Sequence, residues 1–523
     1  MIFSPTRRFL RQATLSGCAC FPETVWLVGA ALSSPQRSPR MIPKKLPFIA
    51  LALLGVFASL PGTLCYGEFR AGAATSNITP DLGGDIVGGF VPVPATHVHD
   101  ELHARCLVLD DGVTKLALVV CDLLGMHRSV FEEAKKLIQD ATGIPPSHVL
   151  ISATHTHSAT NALGEKVRPF ASDIELTEYQ RFIARRVSDG VRRAVHLMRP
   201  AEIGFVSVDA PEHVFVRRWF MREGAVPANP FGKIDRVKMN PPAGSSDLLE
   251  PAGQPDPGVS VVAVREPGGR LISVYSAYSL HYVGGVGAGH VSADYFGMYC
   301  DALAKMQGDG AQQPPFVAMM ANGTSGDVNN INFKLPRPKM EPYEQMRKVA
   351  EDLATKVHAG LSKVEWKKTA KLGAMQQVLP VRWRSVDAEL LEWALKTEAA
   401  ATAETRNALP VIYAGRIQRL AHASPETKAP AQALRIGDIC IGTSPCETFS
   451  ETGLEFKRRS PFAHSFMVEL AGGYYGYLPT PRHFELGGYE TWPGTNYLEA
   501  QAAPKLMDAL LGMAVALRDA GGR

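Results

Sequence analysis

Apolar and polar positions along this chain alternate between short unbroken apolar runs and longer stretches with helical spacing. The clearest run follows the Pro145-Pro146 turn: Val149-Leu150-Ile151-Ser152-Ala153 predicts a short interior strand that stops at Thr154-His155-Thr156-His157-Ser158. Upstream, Ala104 to Leu109 and Leu116 to Cys121 predict two strands joined by Asp110-Asp111-Gly112, a hairpin signal. Ser129 to Thr142 has apolar spacing through Phe131, Ala134 and Leu137 and stops at Gly143-Ile144-Pro145-Pro146, which predicts a helix feeding the histidine strand.

The same helix-then-strand order recurs. Thr177 to Leu197 predicts a long amphipathic helix, and Ala201 to Val208 the strand after it. Leu271 to Leu280 is a further strand, followed by a glycine loop and a helix from about Ala293, and Phe316 to Met320 ends in the loop Ala321 to Asn332. Helices are expected near 341–361, 386–404 and 497–517, and strands near 369–382 and 434–442. Residues 221–258 are rich in Pro, Gly, Asp and Asn, lack periodicity, and read as a long surface excursion near the site. This alternation predicts an α/β architecture of mixed β-sheets flanked by helices, and with no internal repeat or linker it forms one large domain over 68–523.

Charge changes the picture of the amino terminus. The formal charge is +4, but residues 1–67 hold seven Lys/Arg and one acid; without them 48 basic and 50 acidic residues remain, a body near −2. Such a body gives no reason to expect a nucleic-acid partner. Met41-Ile42-Pro43-Lys44-Lys45 followed by the apolar run Phe48 to Leu60 has the layout of a signal peptide over 41–67, with 1–40 as an upstream extension. A rival twin-arginine reading of Thr6-Arg7-Arg8-Phe9-Leu10 lacks a long clean apolar region after it. The expected protein is therefore exported, periplasmic or extracellular, with no transmembrane span in the mature chain and with room for peripheral membrane contact. Five cysteines follow the leader (Cys106, Cys121, Cys300, Cys440, Cys446), an odd and scattered set that reads as small buried apolar residues.

Candidate chemistry sits where apolar runs end. His155 and His157 at alternate positions point to one side of an extended chain. His281 closes the strand ending Tyr278-Ser279-Leu280, Glu447 follows the strand ending near Gly442, and Tyr477 lies in Gly473-Tyr474-Tyr475-Gly476-Tyr477-Leu478. Two neutral imidazoles, a carboxylate and a phenolate suit Zn²⁺ and leave room for a water. Each residue also has a plainer reading: a hydrogen-bonded histidine at a strand end, a packing tyrosine, or a first-turn carboxylate complementing a helix dipole. A serine α/β-hydrolase is disfavoured, since the chain has no Gly-x-Ser-x-Gly elbow.

Ala71-Gly72 with Ile78-Thr79-Pro80, His99-Asp100-Glu101-Leu102-His103-Ala104-Arg105, Val120-Cys121-Asp122-Leu123, Ser152 to Ser158, Gly326-Asp327-Val328-Asn329 and Gly476-Tyr477-Leu478-Pro479-Thr480 follow one another in a familiar order. In this the chain resembles the catalytic domain of the neutral/alkaline ceramidase family from about residue 69 onward. The resemblance implies a metallohydrolase-type domain with His155, His281, Glu447 and Tyr477 as zinc ligands and His157 as general acid/base. It also implies that Tyr489 polarises the substrate carbonyl and that Arg217 is an active-site arginine, with Arg218 the other candidate. The implied chemistry is hydrolysis of the N-acyl amide of ceramide by a zinc-bound water. Where many family members carry a serine implicated in catalysis, this chain has Asn329, and an amide is no nucleophile, so a serine-based route is ruled out. The chain also ends soon after its last predicted helix, without space for an immunoglobulin-like C-terminal domain.

The expected function is a zinc amidohydrolase acting on ceramide or a related N-acyl lipid. One rival is a hydrolase of a small polar amide or ester, which predicts a shallow pocket. The other is a non-catalytic protein that keeps the fold and the metal.

Overall fold

Three larger sheets, each backed by helices on its outer face, bring the ends of their strands to one seam. The structure is a computed structural model describing residues 68–163, 170, 173–308 and 312–520. The expected extension and signal peptide, 1–40 and 41–67, lie outside the described residues.

The first sheet runs in the order Val149–Ala153, Lys115–Cys121, His103–Asp110, Arg70–Asn77, Arg199–Pro200. Its central hairpin turns where expected, with Asp110 Oδ1 accepting the Gly112 N–H at 2.9 Å and Gly112 in the left-handed region at φ 86. Helices Arg128–Thr142 and Glu178–His196 cover one face. Gly143 ends the first at φ 73 with its N–H on the Gln139 carbonyl, and a Thr177/Gln180 capping box starts the second.

The second sheet, Glu202–Asp209, Gly258–Arg265, Leu271–Tyr278 and Val317–Asn322, is backed by helices Asp294–Met306 and Glu344–Gly360. The third, Leu372–Arg382, Glu426–Ile436, Ile439–Thr443 and His464–Val468, is backed by Ser450–Arg459 and Ala502–Asp519. Between the sheets lies one shared core, in which Leu107, Leu118 and Leu150 of the first meet Val262, Tyr275 and Met319 of the second and Leu434, Ile441 and Phe466 of the third. Burying apolar faces against each other on this scale is what holds the three layers together.

Each sheet contains one parallel pair, and the carboxyl ends of those pairs meet. Ala153 N donates to the Leu470 carbonyl at 3.2 Å, Asn322 Nδ2 to the Thr154 carbonyl at 3.2 Å, and Glu469 N to the Asn322 carbonyl at 3.1 Å. In a mixed α/β fold this is the usual place for chemistry.

The observed elements differ from the sequence expectations at three points. Residues 434–442 span two strands, because Gly437 at φ 61 turns Glu426–Ile436 back onto Ile439–Thr443. The helix expected over 386–404 is Ala388–Ala399, and a second, Leu409–Ala421, follows it, packing through Ala414, Ile417 and Ala394. The excursion 221–258 holds two short strands, Val237–Met239 and Leu248–Pro251, that pair with Arg218–Met221 on either side. All five cysteines are buried and free. Among the described residues no helix is long and apolar enough to cross a membrane.

Candidate active site

The strand Val149–Ala153 ends buried, and two residues later the chain turns through His155 at φ 73, a left-handed conformation that costs energy for any residue with a side chain. It is held there by its N–H on the Leu123 carbonyl at 2.8 Å and by Nδ1 on the Leu124 carbonyl at 2.7 Å. A carbonyl only accepts, so Nδ1 carries a proton there and Nε2 is the ring atom turned inward. His155 and His157 meet as expected, but through this turn rather than through strand alternation. Their rings are edge to face at 4.7 Å and their Nε2 atoms 3.1 Å apart.

His281 lies three residues past Leu271–Tyr278, with Nδ1 3.2 Å from the Ser325 carbonyl and 3.3 Å from its hydroxyl. Its Nε2 is buried without a hydrogen-bond partner. Glu447 is no first-turn carboxylate, since the following helix begins only at Ser450. Instead Glu447–Thr448 and Tyr477–Leu478 form a two-stranded parallel pair with Glu447 opposite Tyr477. Glu447 Oε1 accepts the Tyr474 hydroxyl at 2.9 Å, while Oε2 is unpartnered, 3.2 Å from His155 Nε2 and 3.7 Å from His281 Nε2.

Burial works against ionising Glu447, but His155, Tyr477 and Arg217 hold its carboxyl below the usual range, so it is a carboxylate. Burial, then Arg217, holds His281 well below the ordinary histidine value, and it is neutral at pH 7. The unpartnered His281 Nε2 and the bare Glu447 Oε2, 3.7 Å apart and with His155 Nε2 3.2 Å from the same oxygen, fit one divalent cation. The ligand atoms of His155, His157 and His281 all lie within 4.8 Å of one another. Burial pushes the Tyr477 phenol well up, with Arg217 opposing and Glu447 adding; a bound cation would act against that rise.

His157 stacks flat on Tyr282, centroids 3.6 Å apart, beneath Gly88, where a Cβ would stand 2.7 Å from the ring. Burial, His155 and Arg217 hold it well below its ordinary value, so it too is neutral. Of the two arginine candidates, Arg217 faces the site. Its Nε donates to Glu490 Oε1 at 2.9 Å, its Nη2 to the Gly326 carbonyl at 2.8 Å, and its guanidinium lies 5.4 Å from the Tyr477 ring. Arg218 is fully buried behind it, on Glu490 Oε2 at 2.6 Å and over Phe449. Burial alone would raise the Glu490 pKa, but Arg218 and Arg217 win and lower it. Its contribution to stability is therefore present above the ordinary Glu value and lost as pH falls through the lower folded one. Glu490→Ala, which leaves two buried cations unpaired, is expected to cost about 3–5 kcal/mol in denaturant unfolding and to erase that acid-side slope.

Tyr489 packs edge-on against Tyr477 at 5.8 Å and Phe90 at 6.3 Å, and burial keeps its hydroxyl protonated. Asn329 uses both ends of its amide in holding loops, donating to Asn240 Oδ1 at 2.7 Å and accepting from Ile331 N at 2.9 Å. A cavity of about 620 Å³ opens on His155, His157, Glu447, Tyr477 and Tyr489, and a second of about 360 Å³ on His157, His281, Arg217 and Tyr489.

Sequence reasoning missed the residues that support the site. Tyr474 stands three positions before Tyr477, a signal that was legible. Glu469 is a lone acid closing the apolar strand Phe466-Met467-Val468, and it accepts from Ser325 Oγ at 2.7 Å and Thr448 N at 2.6 Å, tying the segment behind His281 to that of Glu447. Tyr282 and Gly88 carried no signal.

Fold and site together define a mixed α/β domain with a buried histidine and carboxylate cluster at the carboxyl ends of its strands. No protein-family model and no curated protein matches the chain. Solved structures do: a ceramidase complexed with C2, at TM-score 0.64 and 16% identity over 86% of this chain and 75% of that one. The neutral ceramidase of Pseudomonas aeruginosa is similar at TM-score 0.61 and 18% identity, with the same coverage. The chain thus has the fold of the neutral ceramidases.

Proposed function

We propose that this chain is a zinc-dependent amidohydrolase that cleaves an N-acyl amide, ceramide or a related N-acyl lipid. What supports the reading is that His155 and His281 both face Glu447 Oε2, with Tyr477 opposite Glu447 in its strand pair and two buried acceptor atoms, His281 Nε2 and Glu447 Oε2, left unpartnered. Those four residues would hold Zn²⁺, which supplies a lowered water pKa, towards about 7, and polarises the amide oxygen. His157, neutral and beside the cluster, takes the proton of the attacking water and returns it to the leaving amine as the C–N bond breaks. Tyr489 donates its hydroxyl to the oxyanion, and Glu490 keeps Arg217 aimed at the same space. Asn329 takes no part, being occupied on both sides.

The two-lobed cavity supports a substrate with two arms. Exposed Phe90, Val91, Val93 and Leu409 around it support peripheral contact with a lipid surface, and the layout of 41–67 supports export. The test is metal analysis of the purified protein, followed by incubation with a short-chain fluorescent ceramide beside N-acyl amino acids. Stoichiometric zinc with cleavage of an amide is expected. Absence of zinc refutes the reading, and zinc without cleavage of either substrate identifies a binding protein.

A further inference from the structure

Arg416 lines the larger cavity, on the helix Leu409–Ala421, one aromatic ring away from Tyr489. Its guanidinium is held 5.2 Å from the Tyr413 ring and 5.4 Å from Phe90, and Nη1 donates to the Gly494 carbonyl at 3.1 Å. Gly494, at φ 92, makes this approach possible, since a Cβ there would stand 2.7 Å from Arg416 Cβ. Arg419, one turn further on, lines the same cavity.

Among the described residues neither arginine has a carboxylate within ion-pair distance. That contrasts with Arg217 and Arg218, which share Glu490. A guanidinium clamped between rings and a carbonyl, with Nε and Nη2 left over and no countercharge among the described residues, is placed to accept an anion in fork geometry. The smaller lobe has an apolar lining of Val226, Pro227, Val237, Met239, Leu409 and Trp492 beside the polar Arg217, Asp235, Lys238 and Asn240. His157 and Tyr489 line both lobes, so an amide held there sends one arm into each.

Resting on the amidohydrolase reading above, we propose that the substrate is an N-acyl amide whose amine portion carries an anionic group: the acyl chain lies along the apolar residues of the smaller lobe and the anion meets Arg416, with Arg419 at its side. The step itself is unchanged: water adds to the acyl carbon, the C–N bond breaks, and the amine leaves with the proton and its anionic group still attached. This narrows the substrate class from neutral N-acyl lipids to acidic ones such as acylated amino acids.

The zinc-loaded full-length chain is assayed on N-dodecanoylglycine and on the neutral N-dodecanoylethanolamide, which share an acyl chain. The ratio of kcat/KM, glycine conjugate over ethanolamide, is expected to favour the acid at least tenfold, and to fall about tenfold in Arg416→Met, mainly through KM. Arg416→Lys, which keeps charge but not the fork, should restore part of it. A ratio near one, or one that Arg416→Met leaves unchanged, overturns the proposal while cleavage of the ethanolamide keeps the amidohydrolase reading intact. Should neither compound be cleaved, calorimetric binding of N-dodecanoylglycine decides: binding weakened about tenfold by Arg416→Met upholds the anion subsite, and binding indifferent to it refutes it.

Discussion

His157→Ala is expected to leave zinc content unchanged and to lower kcat by about 10²–10⁴-fold, the range for a lost general acid/base. On the proposed ligand set metal should stay, because its donors are His155, His281, Glu447 and Tyr477, and because Tyr282 and Gly88 also hold the His157 ring. Turnover should fall because, among the described residues, His157 is the histidine that lines both lobes. The prediction is exposed to a clear rival, since the His157 and His155 Nε2 atoms are only 3.1 Å apart and three imidazoles are within reach of one ion. Metal analysis beside steady-state kinetics decides: loss of metal together with activity would make His157 a ligand.

His155→Ala is the complementary experiment, and here metal and activity should vanish together. Removing this ring takes away the nitrogen nearest Glu447 Oε2, at 3.2 Å, and leaves that carboxylate buried with fewer partners. The loss in metal affinity should exceed the 10–100-fold that removing an outer-shell partner costs, so zinc that saturates the parent protein should not rescue the variant. Competition with a chromophoric chelator measures this without relying on turnover. Full zinc content in His155→Ala would remove the central ligand from the scheme.

The fold was largely legible. Unbroken apolar runs, a hairpin turn at Asp110-Asp111-Gly112 and helix stops such as Gly143 are local features, and the strands and helices they predict are present. What was missed was short or weakly patterned: the helix Leu409–Ala421, which carries Arg416, and the small strands Glu447–Thr448 and Tyr477–Leu478, which two residues each cannot announce. Tyr477 read as a residue of a glycine-rich loop; its partner strand makes it a neighbour of Glu447.

By itself the sequence determined that His155, His157, His281 and Glu447 would stand just beyond buried strands, because apolar periodicity depends only on neighbours within one element. It also determined, through Asn329, that no serine acts at that position. Only the tertiary structure decided that these ends meet at one point, that the left-handed turn at His155 and not strand alternation sets the histidine pair, and that Arg217 rather than Arg218 faces the cavity. The reason is physical: those relations are fixed by three sheets burying their inner faces against a common core, and that packing joins residues hundreds of positions apart that no local pattern relates.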